Sequence, residues 1–315
     1  MAPPPTAATL FFSNSHFDLA AHASRLRPAC AWSLDIPVLL SALPLSQTSS
    51  ETLSETLSET LSDCGMHHCP TDCMFTHHKL KVYEKALALS VSAEELCSLW
   101  GKQHAVVDHF RRASESIILN IAEGARLQSG PAKVRTLDYA IGSTLECAAC
   151  LDIAAIKGEL ASERSLLEKK RILEITRMLM GLRKVWLPSM MREEAVSSES
   201  GPVSLVLFAH ESLDVYQVSL DFLRWFVRLP EGRELTDRLC REIDKSATSV
   251  VLNVAEGNGR YSELDHHRFL EIAAASAVKA AAYLDIYALK KSSGGLEIGE
   301  GRELLGRITA MLSGF

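Results

Sequence analysis

Proline and glycine are scarce in this chain, 11 and 17 among 315 residues. Helix breakers are therefore few, and the abundance of Ala, Leu, Glu, Lys and Arg favours helix. No basic residue precedes Arg25, so a secretory signal is not expected. The most apolar early stretch, Ala29 to Leu45, is interrupted by Asp35, Pro37 and Pro44. No uninterrupted run is long enough for a span, and no membrane partner is expected. The eight cysteines are scattered and do not form a disulfide framework, which fits a reduced, cytoplasmic setting. There is no nucleophile motif, no phosphate-binding glycine loop and no His-Glu-x-x-His pattern. The Glu-x-x-His pairs of di-iron bundles are also missing from the core helices. No enzyme, no cofactor and no resident metal are expected.

What is present is ordinary for a globular protein, with 47% hydrophobic and 23% charged residues. The formal charge of −6 divides unevenly into −5 over residues 1–73, +3 over 74–195 and −4 over 196–315. The opposite signs of the second and third segments permit attraction between them, or a polyanion site on the former alone.

The chain repeats itself. Asn120-Ile121-Ala122-Glu123-Gly124 returns as Asn253-Val254-Ala255-Glu256-Gly257, an offset of 133. The same offset pairs Leu80-Lys81-Val82-Tyr83 with Leu213-Asp214-Val215-Tyr216, and Leu151-Asp152-Ile153 with Leu284-Asp285-Ile286. No gap is needed from Phe75 to Lys157, and beyond it a two-residue shift aligns Arg171 with Arg302. The repeat divides the chain into an extension at 1–73, copy one at 74–187, a linker at 188–204 and copy two at 205–315.

Each copy reads as four helices. In copy one these are Leu80 to Leu99, a second ending at the Asn-Ile-Ala-Glu-Gly motif, Ala132 to Lys157, and Leu166 to Val185, with apolar residues at three-to-four spacing. Gly124 and Gly257 stand where a left-handed helix cap is favoured. Short loops imply antiparallel neighbours, so the expected fold is all-α, two tandem up-down four-helix bundles. Residues 1–73 share none of this. Thr-Leu-Ser-Glu cycles within Glu51 to Ser62, and the stretch is expected to be disordered. Copy two needs nothing before the equivalent of Phe75, so translation from Met66 or Met74 is an open alternative.

Four groups of side chains are candidates for function. Asn120, Glu123, Asn253 and Glu256 are the sharpest repeated polar residues. They read either as a partner site or as local hydrogen-bonding groups near a helix end. Arg111, Arg112, Lys169, Lys170, Arg171, Arg183 and Lys184 make either a phosphate-contacting face or a solvated surface balanced by Glu168 and Glu174. Cys147 and Cys150 lie three apart but become Ala280 and Tyr283 in copy two, which favours small core residues over a thiol pair. Cys64, His67, His68, Cys69 and Cys73 form the one dense cluster of metal-type ligands, without the spacing of a zinc finger.

Several blocks together carry a resemblance: Met74-Phe75 before Lys79-Leu80-Lys81-Val82-Tyr83, Phe110-Arg111-Arg112-Ala113-Ser114, Ile117 to Gly124, and Gly142-Ser143-Thr144-Leu145-Glu146-Cys147. The chain resembles the bacterial four-helix-bundle proteins encoded in intervening sequences of 23S ribosomal RNA. It is similar also to the accessory variability determinant of diversity-generating retroelements. The resemblance implies small bundles without known catalysis that assemble as homopentameric rings. The retroelement relative binds its reverse transcriptase and nucleic acid through a basic surface. Self-association is therefore expected, with a protein partner or an RNA or DNA backbone as possible cargo. Two departures stand out. The domain occurs twice, and Arg111-Arg112 is replaced by Asp244-Lys245 in copy two. A closed ring of five equivalent bundles cannot be built from whole chains if both copies occupy ring positions. The expectation is a ring of copy-one bundles with copy two outside, or pairing of the two copies within a chain.

Overall fold

Every regular element among the described residues is helical. The computed structural model describes residues 75–101, 104–186, 207–229, 237–291 and 295–314, together with Gly232 and Leu235. The extension 1–73, its Cys/His cluster and the linker 188–204 lie outside the described residues.

Copy one folds as α1 (Lys81–Leu99), α2 (Ala105–Arg126), α3 (Gly130–Ile156) and α4 (Ser162–Trp186). Copy two folds as α5 (Asp214–Arg228), α6 (Arg238–Asn258), α7 (Glu263–Lys291) and α8 (Gly295–Leu312). A short 3-10 turn precedes each set, at Thr76–Lys79 and Ala209–Ser212. The spacing of the apolar positions explains the helices. In α1 the buried Val82, Ala86, Leu89, Ala93 and Leu96 form one stripe at steps of three and four, with buried Cys97 beside it. Pro131 lies in the first turn of α3, where its missing N–H removes no helical bond. Asp237 caps α6, its carboxylate accepting from the Cys240 amide at 2.9 Å.

Consecutive helices pack on one another, and the last of each four packs back on the first. The core centres on α3, whose Ala140, Ala148, Ala149 and Ala154 are fully buried. Such small side chains let neighbouring helices approach closely. The larger side chains fill the remaining space, with Trp100 stacked on Phe110 at 5.3 Å.

The two bundles also pack on each other, so that the described residues fall within one compact unit, residues 71–315. α3 of the first bundle lies against α5 and α6 of the second, and α2 also touches α6. The reciprocal contact of α2 with α7 is at most slight among the described residues. The joint is therefore heterologous, using different faces of the two copies.

Two sequence readings change here. α3 and α7 are each long and apolar enough, by length and composition, to cross a membrane. A search for uninterrupted apolar runs overlooks them because alanines and small polar residues carry much of their length. The apolar window of α3 is mostly buried inside the fold, whereas that of α7 is mostly not. The shift of two residues beyond Lys157 is also unnecessary. Lys169 pairs with Asp152 and Arg302 with Asp285, and both pairs keep the offset of 133.

Candidate functional site

The repeated asparagines hold one hydrogen-bond network in both copies. Asn120 donates from Nδ2 to the Ser116 carbonyl at 2.8 Å and to Ser116 Oγ at 3.1 Å, and Ser116 Oγ meets Ser143 Oγ at 2.8 Å. Asn253 repeats this with Ser249 at 2.7 and 3.1 Å, and Ser249 meets Ser276 at 2.8 Å. The network binds the second helix of each bundle to the third. The asparagine turns back on its own helix rather than orienting the loop that follows.

The motif glycines do not cap. Both lie inside their helices, and neither has a positive φ. They serve close packing instead. A Cβ on Gly124 would collide with Thr136 Oγ1 and lie 3.0 Å from the Trp186 ring, and one on Gly257 would lie 3.0 Å from Phe269 Cβ. The left-handed cap is Gly158, with φ 77°, just beyond α3. Its amide donates to the Ala155 carbonyl at 3.1 Å and the Glu159 amide to Ala154 at 2.9 Å. This turn brings Lys157 and Glu159 to the joint between the bundles.

Asn120 lines a cavity of about 320 Å³ at that joint. Copy one contributes Arg112, Ser116, Tyr139, Ser143 and Glu146, and copy two contributes Glu256 and Arg260. Glu146 pairs with His109 at 3.0 Å, and Arg260 pairs with Glu256. The Arg260 guanidinium lies 4.9 Å from the Tyr139 ring centroid and 4.7 Å from that of Phe269. Gly142 makes room for it, since a Cβ there would sit 3.0 Å from the guanidinium carbon. Burial, then the neighbouring Glu146 charge, raises the Glu256 carboxyl to about 7 against the opposing pull of Arg260. Glu123 is exposed in copy one. The paired motif carboxylates thus occupy different environments.

Two buried polar clusters lock the joint. Lys157 Nζ lies 2.5 Å from Asp244 Oδ1, and the two side chains are 1% and 2% exposed. The approach is an ion contact rather than a well-aligned hydrogen bond. His104 and Glu159 flank it, 3.0 Å apart. Burial and the Lys157 charge hold the His104 imidazole below its ordinary value. In the second cluster Tyr216 donates to Asp152 at 2.9 Å, while Lys169 bridges Asp152 at 2.7 Å and Glu211 at 2.6 Å. Beside it His210 is fully buried, with no partner on either ring nitrogen. Burial, then Lys169, lowers its imidazole to about 3.

The basic candidates are scattered by this arrangement. Lys169 is buried in the second cluster rather than on a solvated face. Arg183 pairs with Asp138 at 2.8 Å and lies 3.5 Å from the Tyr261 ring centroid, across the joint. Arg111 forms a two-pronged pair with Glu94 at 2.6 and 3.1 Å. Arg112 pairs with Asp108 at 2.9 Å, and Arg171 with Glu168 at 3.2 Å. Lys170 and Lys184 are exposed on α4. Cys147 and Cys150 are fully buried, and burial raises both thiols well above their ordinary value. No group of metal-type ligands occurs among the described residues.

Asp244, Arg260 and Gly142 escaped the sequence reading as joint residues, yet a signal for them existed. They stand where the copies differ: Asp244 replaces Arg111, Arg260 replaces Leu127, and Gly142 stands opposite Ala275. Divergence between repeats marks positions that the shared bundle does not need.

A family model described as 23S rRNA-intervening sequence protein matches the chain twice, over residues 78–181 and 211–314. No curated protein matches, and no solved structure matches. The two matched segments keep the offset of 133 at both ends and together span more than half of the chain. The chain therefore belongs to the 23S rRNA-intervening sequence protein family and carries its domain in tandem.

Proposed function

We propose that this protein is a non-enzymatic, self-associating adaptor whose bundle faces bind macromolecules, including further copies of itself. The observation that supports this is the joint: one copy of the bundle already serves as binding partner to the other, through non-identical faces. The motif asparagines support the same reading, because they bond to serines and to their own helix rather than meeting a nucleophile or base. Size-exclusion chromatography with light scattering at micromolar concentration tests the proposal. A species larger than one chain is expected, and a strictly monomeric chain overturns it.

Polyanion binding by copy one is the second reading, favoured by the exposed Lys170 and Lys184. Filter binding of single-stranded RNA at low salt tests it. Replacing both lysines with alanine is then expected to make the salt dependence shallower, the logarithmic slope falling by about one for each phosphate no longer neutralised. No binding at low salt removes this reading.

A further inference from the structure

The heterologous joint leaves two faces uncovered, one at each end of the chain. In copy one the ridge of α3 running through Asp138, Gly142, Leu145, Ala149 and Asp152 faces copy two. Arg260 reaches its first positions, Gly259 lies against Leu145, and Tyr216 bonds to Asp152. The equivalent positions on α7 are Glu271, Ala275, Val278, Ala282 and Asp285, all exposed, and the apolar Ile272, Ile286 and Leu289 lie exposed beside them. Val278 is 55% and Leu289 84% exposed. A stripe of this length on one helix is not a scatter of single apolar side chains.

The converse holds on copy one. Leu252 of α6 is 2% exposed, whereas its equivalent Leu119 on α2 is 67% exposed. Leu220 of α5 is buried, and its equivalent Leu87 on α1 is exposed. Each uncovered face thus matches a face that is covered elsewhere in the same molecule.

We propose that the exposed stripe of α7 is covered by the α1/α2 face of copy one of a second chain, as α3 is covered by α5 and α6 within the chain. This rests on the self-associating reading above and assigns its surfaces. The internal joint is the observation that names the occupant: the same ridge on α3 meets protein, not solvent or lipid. Charge modulates the fit. Lys279 stands where Glu146 does, and Glu123 where Glu256 does, so a carboxylate pair inside the chain becomes a lysine–glutamate pair between chains. Lys290 and Arg111 replace Lys157 and Asp244, which puts two cations together. Arg111 brings Glu94 with it, so the repulsion is partly offset. A ring closed in this way holds an even number of bundles, and an unclosed one grows as a filament.

Sedimentation equilibrium of the full chain and of Leu119→Asp, Val278→Asp and Arg111→Asp tests the assignment. Circular dichroism and urea midpoints serve as fold controls. Leu119→Asp and Val278→Asp are expected each to weaken self-association by at least about tenfold. Arg111→Asp, which recreates the internal lysine–aspartate pair, is expected to tighten it by several-fold. A wild-type chain that stays monomeric overturns the self-associating reading itself. An oligomer unmoved by either aspartate, or weakened by Val278→Asp alone, overturns only the head-to-tail assignment, the latter result pointing to α7 against α7. Flotation of the wild-type chain with phosphatidylcholine vesicles, abolished by Val278→Asp, assigns the stripe to a lipid surface and overturns the proposal.

Discussion

Removing one partner of the Lys157–Asp244 pair is expected to weaken the whole described unit, because the pair lies at the joint and is almost completely shielded from water. Asp244→Ala leaves the Lys157 ammonium buried, with His104 beside it as a poor substitute. Stranding a buried charge costs about 3–5 kcal/mol. For a cooperative unit of this size that corresponds to a fall in melting temperature of roughly 6–20 °C. The double variant Lys157→Met/Asp244→Leu removes both charges at similar volume. It is expected to come within about 1 kcal/mol of the wild type, because neither group then needs desolvation. Urea unfolding monitored by circular dichroism compares the wild type, Lys157→Met, Asp244→Leu and the double variant as the four corners of one cycle, with Asp244→Ala measured beside them. A loss below about 1 kcal/mol for Asp244→Ala would refute the reasoning. So would a double variant as unstable as the two single losses combined.

Three further outcomes follow from the geometry. Gly124→Ala is expected to destabilise by about 1–3 kcal/mol in urea unfolding, since the new Cβ meets Thr136 and Trp186. Gly181→Ala, with nothing within 4 Å, is expected to be neutral or stabilising by up to about 1 kcal/mol. Two buried groups respond to acid with opposite signs. Folded Glu256 takes up a proton near pH 7 and the unfolded carboxyl only near 4.5, so this residue adds stability as pH falls through that window. Folded His210 stays neutral down to about 3 while the unfolded imidazole protonates near 6.5, so it withdraws stability below 6.5. Urea midpoints across that range are expected to lose the first trend in Glu256→Gln and the second in His210→Phe, each on the order of 1 kcal/mol per pH unit. Finally, Cys147 and Cys150 are expected to resist a thiol reagent in the folded protein and to react on unfolding; immediate reaction would contradict their burial.

The helices and the repeat were legible because periodicity and register are properties of the chain itself. Ile172, Ile175 and Leu179 announce a buried stripe before any packing is known. The structural role of Asn120 and Asn253 was likewise within reach, since a polar residue repeated in the same packed place has nearby groups to satisfy. Other features depend on which helices meet. Gly124 looked like a cap because the rule for helix ends is local, whereas its constraint comes from Thr136 and Trp186 across the bundle. Lys169 looked solvated because it sits in a basic run, whereas Asp152 and Glu211 bury it at a joint invisible in either copy alone. α7 as a whole is as apolar as the core helix α3, and only the path of the second bundle tells which side stays uncovered.

Fusing two bundles in one chain separates their joints by concentration. The internal joint has its partner tethered beside it, so it is filled even in the most dilute cell. A joint between chains has no such tether and forms only as the protein accumulates. Under the proposed self-association, assembly would proceed in preformed pairs, and its extent would read out how much of the protein has been made.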